Sequence, residues 1–259
     1  MTTVIILAAG MGNRLRPYTD KYPKCLVPLL GKTIIERQLS ILKQAGIKDI
    51  VVVGGYKAEK LVRLGLNIVI NKQYETTNMV ATLFKARENM TTGADLIISY
   101  GDIVYEANVL KKLLLCDSDI CLVSDLGWKS YWKLRFTNPL DDIETFKINR
   151  EGFVIELGKK PQSLRNIQGQ FTGLFKFSAK RAAELAIIYD SMDKNDVYDG
   201  KDFKNMYMTS FLQHLIKIGW KIKPVSINHG WLEIDTVEDL DLYNRLKDEG
   251  RINDFCKLS

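Results

Sequence analysis

The sequence has few of the residues from which many metal and redox sites are built. It contains only two histidines and four cysteines among 259 residues, and no two cysteines form a C-x-x-C pair. This composition argues against a structural zinc site made of cysteine and histidine ligands. The cysteine usage instead predicts reduced thiols and a cytoplasmic protein.

Long apolar runs and blocks of like charge are also missing. No apolar stretch approaches the roughly 20 residues that a membrane-spanning helix needs. The opening "MTTVIILAAG" lacks the basic segment of a signal peptide. The net charge is +6, but the basic residues are interspersed with acidic ones. These features argue against nucleic-acid and membrane partners and suit a small anionic substrate.

Three familiar motifs are absent. Neither the phosphate-binding G-x-x-x-x-G-K-[ST] nor the hydrolase elbow G-x-S-x-G occurs. A dinucleotide loop, G-x-G-x-x-G, would need glycine in place of Leu15 and an acid at the end of the second strand. That strand ends instead in Gly54, Gly55 and Tyr56. We therefore exclude a P-loop, a serine hydrolase and a dinucleotide-binding protein.

In the first half, short apolar runs alternate with segments of helical period. Strands are predicted at 4–7, 49–55, 67–70, 95–99 and 119–124, and helices at 33–46, 57–65, 78–90 and 108–115. Apolar strands that alternate with helices are typical of an α/β protein with a Rossmann-like, mostly parallel central sheet flanked by helices.

The second half reads differently. Antiparallel additions are predicted at 131–136, 144–148, 153–158 and 170–178, followed by helices at 179–190, 207–219 and 236–250 and a last strand pair at 221–227 and 231–235. No linker interrupts the chain, so we predict a single domain over 1–259.

The loop after the first strand combines glycines with basic residues. Ligands of such sheets bind outside the carboxyl ends of the strands, where this loop lies. Gly10 and Gly12 let backbone N–H groups approach an anion closely. Arg14 can bind two phosphate oxygens at once, and Lys24 adds a point charge. The loop predicts a cradle for a nucleoside triphosphate; the alternative is a tight turn with solvated basic residues.

A longer pattern supports the cradle. The segments "LAAGMGNRLRP" and "PKCLVPLLGKTIIE" resemble the signature of the nucleotidyltransferases that make NDP-sugars and CDP-activated metabolites. Further similarity lies in "YGDIVY", "ELGKKP", "FTGLFKFS" and "GWLEIDTVEDL". In "TTNMVATLF", "NPLDDIETFKI" and "NMYMTSFLQ" the chain resembles the small cytidylyltransferases that act on phosphocholine, aminoalkylphosphonates or phosphoglutamine, some of them in capsule or cell-surface polysaccharide synthesis.

The resemblance implies the nucleotidyltransferase fold, Mg²⁺ as cofactor, and CTP and a small phosphorylated metabolite as partners. In the implied reaction, an acceptor phosphate oxygen attacks the α-phosphorus of CTP and pyrophosphate leaves. A phosphate monoester is already largely deprotonated near neutral pH, so the reaction depends on alignment and charge neutralisation. The implied catalytic residues are Arg14, Lys24 and Lys160, and the implied nucleotide-binding residues are Leu7, Ala8, Ala9, Gly10, Gly12, Gly54 and Asn78. Asn78 is also placed to be a helix N-cap.

The predicted metal ligands are Asp102 and Asp235. Asp102 follows a strand and a glycine, at the position of the family's metal-binding aspartate. In "WLEID", Glu233 and Asp235 share one face of a strand, and either suits the second ligand. We favour Asp235, although it could instead cap the helix that begins at Thr236, with Glu238 completing a capping box.

The acceptor site is predicted around Lys159, Lys160, Glu233 and Trp128. Lys160 matches the family's lysine for the acceptor phosphate. Hexose enzymes carry glutamate where this chain has Lys159, and a cation cannot accept hydrogen bonds from sugar hydroxyls. If Lys159 points into the pocket, it favours an acceptor with a second anionic or carbonyl group, which is our preferred interpretation. If it points to solvent, Glu233 and the aromatic cluster around Trp128 favour an alkylammonium group, unless that cluster is core.

Two other functions are open. One is a hexose-1-phosphate uridylyl- or thymidylyltransferase, which Lys159 and the lack of hexapeptide repeats argue against. The other is an inactive relative that senses a nucleotide and binds a partner, which the presence of Arg14, Lys24, Asp102 and Asp235 argues against. A homo-oligomer is possible.

Overall fold

The computed structural model describes residues 1–62, 64–91 and 93–258, apart from the side chain of Asn166. Arg63, part of the helix predicted at 57–65, lies outside these ranges. The strands are β1 (Thr2–Ala8), β2 (Pro28–Leu29), β3 (Lys32–Thr33), β4 (Asp49–Gly54), β5 (Asn67–Ile70), β6 (Asp95–Tyr100), β7 (Ile103–Tyr105), β8 (Ile120–Asp125), β9 (Phe146–Ile148), β10 (Val154–Leu157), β11 (Gln170–Phe177), β12 (Lys223–Ile227) and β13 (Trp231–Glu233). The α-helices are α1 (Ile34–Gln44), α2 (Glu59–Val62), α3 (Met79–Leu83), α4 (Ala107–Leu115), α5 (Trp128–Arg135), α6 (Ala179–Ser191), α7 (Met208–Lys217) and α8 (Val237–Asp248).

The main sheet has seven strands in the order β12-β8-β11-β6-β1-β4-β5. β1 is parallel to β4 and β6, β4 to β5, and β8 to β12. β11 lies between β6 and β8 and is antiparallel to both. The predicted fold class is therefore confirmed: a mostly parallel sheet with an antiparallel addition from the second half of the chain.

Side chains of β1 show how both faces of this sheet are covered. Val4 and Ile6 belong to one hydrophobic cluster, and Ile5 and Leu7 belong to the other. Neighbouring residues of a strand point to opposite faces, so an apolar run of this kind needs packing partners on both sides. The sheet is thus the middle layer, and the carboxyl ends of its parallel strands are left to carry polar loops.

Helix α1 follows the sequence signals closely. Thr33 caps its N-terminus, and Thr33 and Glu36 form a reciprocal capping box. Gly46 follows the last turn with a φ of 78°, a left-handed conformation that suits glycine at a helix C-terminus. The helix predicted at 33–46 is confirmed.

The strand predicted at 131–136 is wrong, because this segment lies in helix α5. Trp128, Tyr131, Trp132 and Arg135 have the i, i+3, i+4, i+7 spacing of one helix face, and the first three are buried. The aromatic content favours a strand, but the period of the buried residues decides for a helix.

Two further strand assignments need correction. β9 and β10 form a separate two-stranded sheet instead of extending the main sheet. The strands predicted at 221–227 and 231–235 do not pair with one another: β12 joins the main sheet beside β8, whereas β13 pairs with β7.

The expectation of reduced cysteines is wrong for one pair. Cys116 and Cys121 form a disulfide between the end of α4 and β8, while Cys25 and Cys256 are free and buried. The two bonded residues are five apart, a spacing outside the C-x-x-C pattern used in the prediction. Within the described ranges, no helix combines the length and apolar character needed to cross a membrane.

Candidate active site

The loop after β1 is held over the end of that strand. Gly12 has a φ of 62°, and a Cβ there would lie 3.1 Å from side-chain atoms of Lys24 and Thr19. A residue with a side chain would be strained and would crowd Lys24. From the next strand, Tyr56 donates its backbone N–H to the Ala9 carbonyl at 3.0 Å and its hydroxyl to the Thr19 carbonyl at 3.0 Å. These contacts fix the path of the loop.

A cavity of about 140 Å³, the first cavity, lies between this loop and α3. Its walls are largely backbone and small side chains at the carboxyl ends of β1 and β6. It is lined by Leu7, Ala8, Ala9, Gly10, Lys24, Cys25, Tyr74, Thr77, Asn78, Met79, Thr82, Gly101 and Asp102. Most of the predicted nucleotide-binding residues therefore meet in one cavity.

Asn78 has both of the roles that the sequence left open, because it lies in the candidate nucleotide site and also caps a helix. Its side-chain oxygen accepts a hydrogen bond from the Met79 N–H at 2.8 Å, so Asn78 caps α3, and it also lines the first cavity. Gly54 does not line it: a Cβ there would lie 3.2 Å from Ala58 and Leu61, because Gly54 packs against α2. The placement of Gly54 in the nucleotide site is thus corrected.

Four charged side chains meet at the edge of the first cavity. The Lys24 ammonium lies 2.7 Å from Asp102 Oδ2 and also donates to Asp235 Oδ1. Arg14 Nη2 donates to Asp235 Oδ2 at 3.0 Å. The cluster joins the loop, the end of β6 and the segment after β13, which are far apart in sequence.

The pKa values in this cluster favour the charged forms. Burial alone would lower the pKa of Lys24, but Asp102 and Asp235 outweigh it and raise that pKa above its ordinary value. Burial alone would raise the pKa of Asp235, but Lys24 and Arg14 bring that pKa below its ordinary value. The site therefore keeps the Asp235 carboxylate ionised beside Lys24 and Arg14.

These carboxylates fit a hard divalent cation. Asp102 Oδ1 is buried and has no hydrogen-bond partner in the described part of the chain. Mg²⁺ needs only one or two carboxylates when phosphate oxygens and water complete its shell. No group of three or more His, Cys, Asp or Glu side chains suited to a metal occurs in the described ranges, so a metal here would share its shell with a ligand.

The capping alternative for Asp235 is wrong. Thr236 is the N-cap of α8, and its capping-box partner is Asp239 rather than Glu238. The Asp235 backbone N–H donates to Asp239 Oδ2 at 2.8 Å, which leaves the Asp235 carboxylate for Lys24 and Arg14. The cap thus orients Asp235 toward the cluster.

A second cavity, of about 180 Å³, adjoins the first. Met79 lines both cavities, and Asp235 lines the second one. Its walls carry carboxylates and aromatic rings from many parts of the chain. It is lined by Met79, Tyr100, Trp132, Asp142, Glu144, Gln170, Phe171, Thr172, Gly173, Tyr207, Met208, Thr209, Trp231, Glu233 and Asp235. The charged cluster therefore stands between two cavities.

Glu233 has a different environment from Asp235. It forms an ion pair of 2.7 Å with Arg135, whose guanidinium also binds Asp239 and lies over the rings of Tyr131 and Trp132. Burial raises the pKa of Glu233, Asp235 adds to the rise, and Arg135 opposes it. The contact with Arg135 holds Glu233 in the wall of the second cavity and apart from Lys24.

The remaining predicted acceptor residues lie outside both cavities. Trp128 is 5% exposed and packs in the core on the buried face of α5, so its assignment to the acceptor site is corrected. Lys159 and Lys160 are exposed at the end of β10, and the Lys159 ammonium lies 4.0 Å from Glu156. Lys159 therefore points away from the cavity, against our preferred interpretation. The adjacent Gly158 packs on Thr209, which places both lysines beside the second cavity.

Sequence reasoning missed several lining residues. In the first cavity these include Tyr74, Thr77, Met79 and Thr82, and in the second Asp142, Glu144, Tyr207 and Thr209. Trp132, four residues after Trp128 on one face of α5, belongs to the aromatic cluster considered for the acceptor group and lines the second cavity. Asp142 and Glu144 lie in "NPLDDIETFKI", a segment that carries the family resemblance but gave no assignment for these two residues.

The main sheet is mostly parallel, and a glycine-containing basic loop and two carboxylates lie at its carboxyl edge. This arrangement is that of a nucleotide-binding α/β enzyme. A model of the MobA-like NTP transferase domain matches residues 4–149, more than half of the chain. The chain belongs to this family and is a nucleotidyltransferase. The enzyme class predicted from the sequence is confirmed.

Individual proteins give a finer comparison. The chain is 44% identical over 248 residues to the CTP:phosphoglutamine cytidylyltransferase of Campylobacter jejuni subsp. jejuni serotype O:2, covering 92% of this chain and 97% of that protein. It is 24% identical over 249 residues to the 2-aminoethylphosphonate cytidylyltransferase of Lancefieldella rimae, covering 94% and 92%. The predicted resemblance to small cytidylyltransferases is confirmed.

A solved structure shows the same fold. The CTP:phosphocholine cytidylyltransferase of Streptococcus pneumoniae superposes with a TM-score of 0.68 at 21% identity, covering 96% of this chain and 98% of that one. At this identity the likeness concerns the fold alone.

Proposed function

We propose that this protein transfers the cytidylyl group of CTP to the phosphate of a small phosphorylated or phosphonylated metabolite and releases pyrophosphate. The observation that carries the proposal is the meeting of two cavities at Lys24, Asp102 and Asp235. A transfer between two substrates needs two adjoining sites, with the charged residues that neutralise the phosphates at their border. The whole chain acts as one domain in this proposal, and the cytoplasm is its place of action.

CTP occupies the first cavity. Backbone groups of Leu7–Gly10 and the side chains of Thr77, Asn78 and Thr82 offer donors and acceptors to the nucleotide. Arg14 is 65% exposed at the mouth of the cluster, where its guanidinium can bind the β- and γ-phosphates. This arrangement leaves the α-phosphorus near the border of the second cavity.

The acceptor occupies the second cavity, with Lys160 at its edge for the acceptor phosphate. An oxygen of that phosphate forms a bond to the α-phosphorus of CTP, and the bond from the α-phosphorus to the β-phosphate oxygen breaks. The electron pair leaves with pyrophosphate, and no proton needs to move because the attacking oxygen is already ionised. The protein contributes alignment and neutralisation of charge.

Asp102 and Asp235 are the residues that would hold Mg²⁺. The ion supplies positive charge to the phosphate oxygens when it is bound. The unpartnered Asp102 Oδ1 supports this assignment. Lys24 keeps the two carboxylates together in the free protein.

The test is pyrophosphate release by the purified protein with CTP, UTP or dTTP and each of five acceptors: phosphocholine, phosphoethanolamine, 2-aminoethylphosphonate, phosphoglutamine and glucose-1-phosphate. We expect release with CTP and at least one of the first four acceptors. Release only with UTP or dTTP and glucose-1-phosphate would establish a hexose-1-phosphate enzyme instead. No release with any pair, together with measurable CTP binding, would establish a binding protein.

A further inference from the structure

A third cavity lies beside the first one and takes no part in the proposed reaction. It has a volume of about 540 Å³, against about 140 Å³ and 180 Å³ for the first and second cavities. Its walls come from residues 73–87, in and around α3, and from residues 189–204, at the end of α6 and beyond it. Cavities of roughly 300–1,000 Å³ commonly hold small organic ligands. The third cavity is therefore large enough for a ligand of its own.

Three aromatic rings form one side of the third cavity. The rings of Phe84 and Tyr189 are stacked with their centroids 3.9 Å apart, and those of Tyr189 and Phe203 are stacked with their centroids 4.7 Å apart. Each of the three residues is at most 8% exposed, so the surrounding chain holds the rings in place. Such a wall offers fixed apolar contacts to an aromatic ring of a ligand.

The hydroxyl group of Tyr189 is a polar point in this apolar wall. It has no hydrogen-bond partner among the residues that the structure describes. Burial raises the pKa of Tyr189 to about 12, so the hydroxyl keeps its proton near neutral pH and is a hydrogen-bond donor. Polar groups of buried side chains are normally paired, and an acceptor atom of a ligand would pair this one.

Basic side chains surround the aromatic wall. The charged residues that line the third cavity are four cations and one acid: Lys85, Arg87, Lys194, Lys204 and Asp202. Two of the cations have polar partners, because Lys85 donates to Gln73 Oε1 at 2.9 Å and Arg87 forms an ion pair of 3.0 Å with Asp190. The lining nevertheless has an excess of positive charge, which favours an anion.

The other two cations are available to a ligand. Lys194 and Lys204 lie near Asp190 and Asp202, but they form no ion pair with these or any other acids of the described ranges. The Asp202 carboxylate accepts a hydrogen bond from the Asn205 N–H at 2.9 Å, as the N-cap of the turn that follows. The acid of the cavity is thus occupied, and two exposed ammonium groups are left for an anionic group.

The segment that carries this wall also holds the candidate nucleotide site. The Lys204 carbonyl accepts a hydrogen bond from the Asn78 N–H at 2.9 Å, and the Asn205 carbonyl accepts one from Asn78 Nδ2 at 3.3 Å. Asn78 caps α3 and lines the first cavity, and Thr77 lines both the first and the third. Three residues further on, Tyr207 lines the second cavity. A ligand that shifts Lys204 therefore acts on residues of both reaction sites.

We propose that the third cavity is a second ligand site, which binds an anion with a flat aromatic ring, and that its occupancy is linked to the binding of CTP. The ring lies against the wall of Phe84, Tyr189 and Phe203, and the anionic group faces Lys194 and Lys204. A nucleotide has this chemistry, and so has a simpler aromatic phosphate. The existence of the site does not depend on the proposed function; only its linkage to CTP does. Linkage is reciprocal, so each ligand changes the affinity of the protein for the other by the same factor.

The test is a fluorescence titration of the purified protein with 1-anilinonaphthalene-8-sulfonate, an aromatic anion, at increasing concentrations of CTP. The double variant Lys194→Gln/Lys204→Gln removes the two free charges, and Tyr189→Phe removes only the hydroxyl. The matched control is Lys111→Gln/Lys129→Gln, because both of these lysines are exposed and lie outside the three cavities. Circular dichroism checks the fold of each variant.

We expect the double variant to raise the Kd of the probe by about fivefold or more and Tyr189→Phe to raise it by about threefold, the scale of hydrogen bonds to charged and neutral groups. The control should bind like the wild type. CTP should shift the Kd of the probe by about fivefold or more in either direction and then have no further effect, because a linked ligand acts by a finite factor.

Displacement of the probe separates the two sources of the ligand. Competition by AMP, GMP, UMP or CMP, but not by phenyl phosphate, would identify a nucleotide, and competition by phenyl phosphate alone would identify a smaller aromatic anion. Equally strong competition by inorganic phosphate would overturn the role of the ring.

Three results would overturn the site itself: no binding of the probe, unchanged binding by the folded double variant, or displacement by CTP without limit, which would place the probe in the first cavity. A probe that binds but does not respond to bound CTP would overturn the linkage. If CTP does not bind at all, the proposed function and the linkage fail, and the lysine variants still decide on the site.

Discussion

The first and second cavities of this protein are built in different ways. Leu7, Ala8, Ala9 and Gly10 of the first cavity are consecutive, and they present backbone and small side chains at the end of one strand. The second cavity is assembled from side chains of β6, α5, β11, α7 and β13 and of the segment before β9. Both cavities exist only after the chain has folded, but a local motif supplies four consecutive residues of the first, whereas no comparable run lines the second.

The two cavities also differ in the charge of the residues that line them. Among the residues that line the first cavity, Asp102 is opposed by Lys24. The second cavity is lined by Asp142, Glu144, Glu233 and Asp235, and none of its lining residues is a lysine or arginine. The second cavity therefore presents more negative charge to its ligand than the first does.

The largest effect is expected at the border that both cavities share. Asp102→Asn and Asp235→Asn should each lower kcat by about a hundredfold or more, because charge stabilisation by a bound metal is worth several kcal/mol. Steady-state pyrophosphate release measures the loss, and circular dichroism checks the fold. Asp248→Asn, an exposed position on α8, is the control. If Glu233→Gln has no activity and Asp235→Asn has almost the activity of the wild type, the second metal ligand is Glu233 instead.

A smaller effect is expected on the nucleotide side alone. Arg14→Lys keeps the positive charge but loses the planar fork that binds two oxygens. Negative charge moves onto pyrophosphate as the bond breaks, so kcat should fall by about tenfold or more while the KM for CTP changes much less. A rise in KM at constant kcat would show that Arg14 binds the ground state and the transition state equally well.

On the acceptor side, the pH dependence of stability should reveal the buried charge. Burial, followed by the charges of Asp142 and Asp199, raises the pKa of Glu144 from its ordinary value of 4.5 to about 7 in the folded chain. The folded state then binds more protons than the unfolded state between these values, so stability falls as pH rises from about 4.5 through 7. Wild type and Glu144→Gln should melt alike near pH 5. At pH 8 the variant should be more stable by about 1–3 kcal/mol.

Thermal denaturation of the free protein from pH 5 to 8 measures this difference as a few degrees in Tm. If the difference in Tm between wild type and Glu144→Gln does not change with pH, the Glu144 carboxyl group is solvated and its pKa is not raised.

The smallest effect is expected just outside the second cavity. Lys159→Glu reverses a charge that is half exposed and 4.0 Å from Glu156. Exposed ion pairs contribute about 0–1 kcal/mol, so kcat/KM for every acceptor should stay within about twofold of wild type. An acceptor-specific loss of tenfold would bring Lys159 back into the site and support an acceptor with a second anionic group.

The contrast between the cavities also explains what the sequence could predict. The β1 loop, Asp102 and Asp235 are marked by local patterns that follow apolar strands, and the structure brings Arg14, Lys24, Asp102 and Asp235 together. The segment that contains Glu144 carries the family resemblance, but the placement of Glu144 at the cavity depends on Gln170, 26 residues later, which no local pattern shows. Trp128 was misplaced because Trp128 and Trp132 share one buried face of α5, and the sequence does not tell which of the two lies at the cavity.

The position of β11 bears on where the chain can be divided. The family match ends at residue 149, yet β11 supplies the strand between β6 and β8 from residues Gln170–Phe177. A fragment cut at 149 would lose both β11 and β12, so that β8 would have no partner strand and β6 would have an unpaired edge, which is a template for aggregation. It would also lack Asp235. The segment matched by the family model therefore lacks strands that its sheet needs, and we expect any truncation or circular permutation to fold only if it keeps β6, β8 and β11 in one piece.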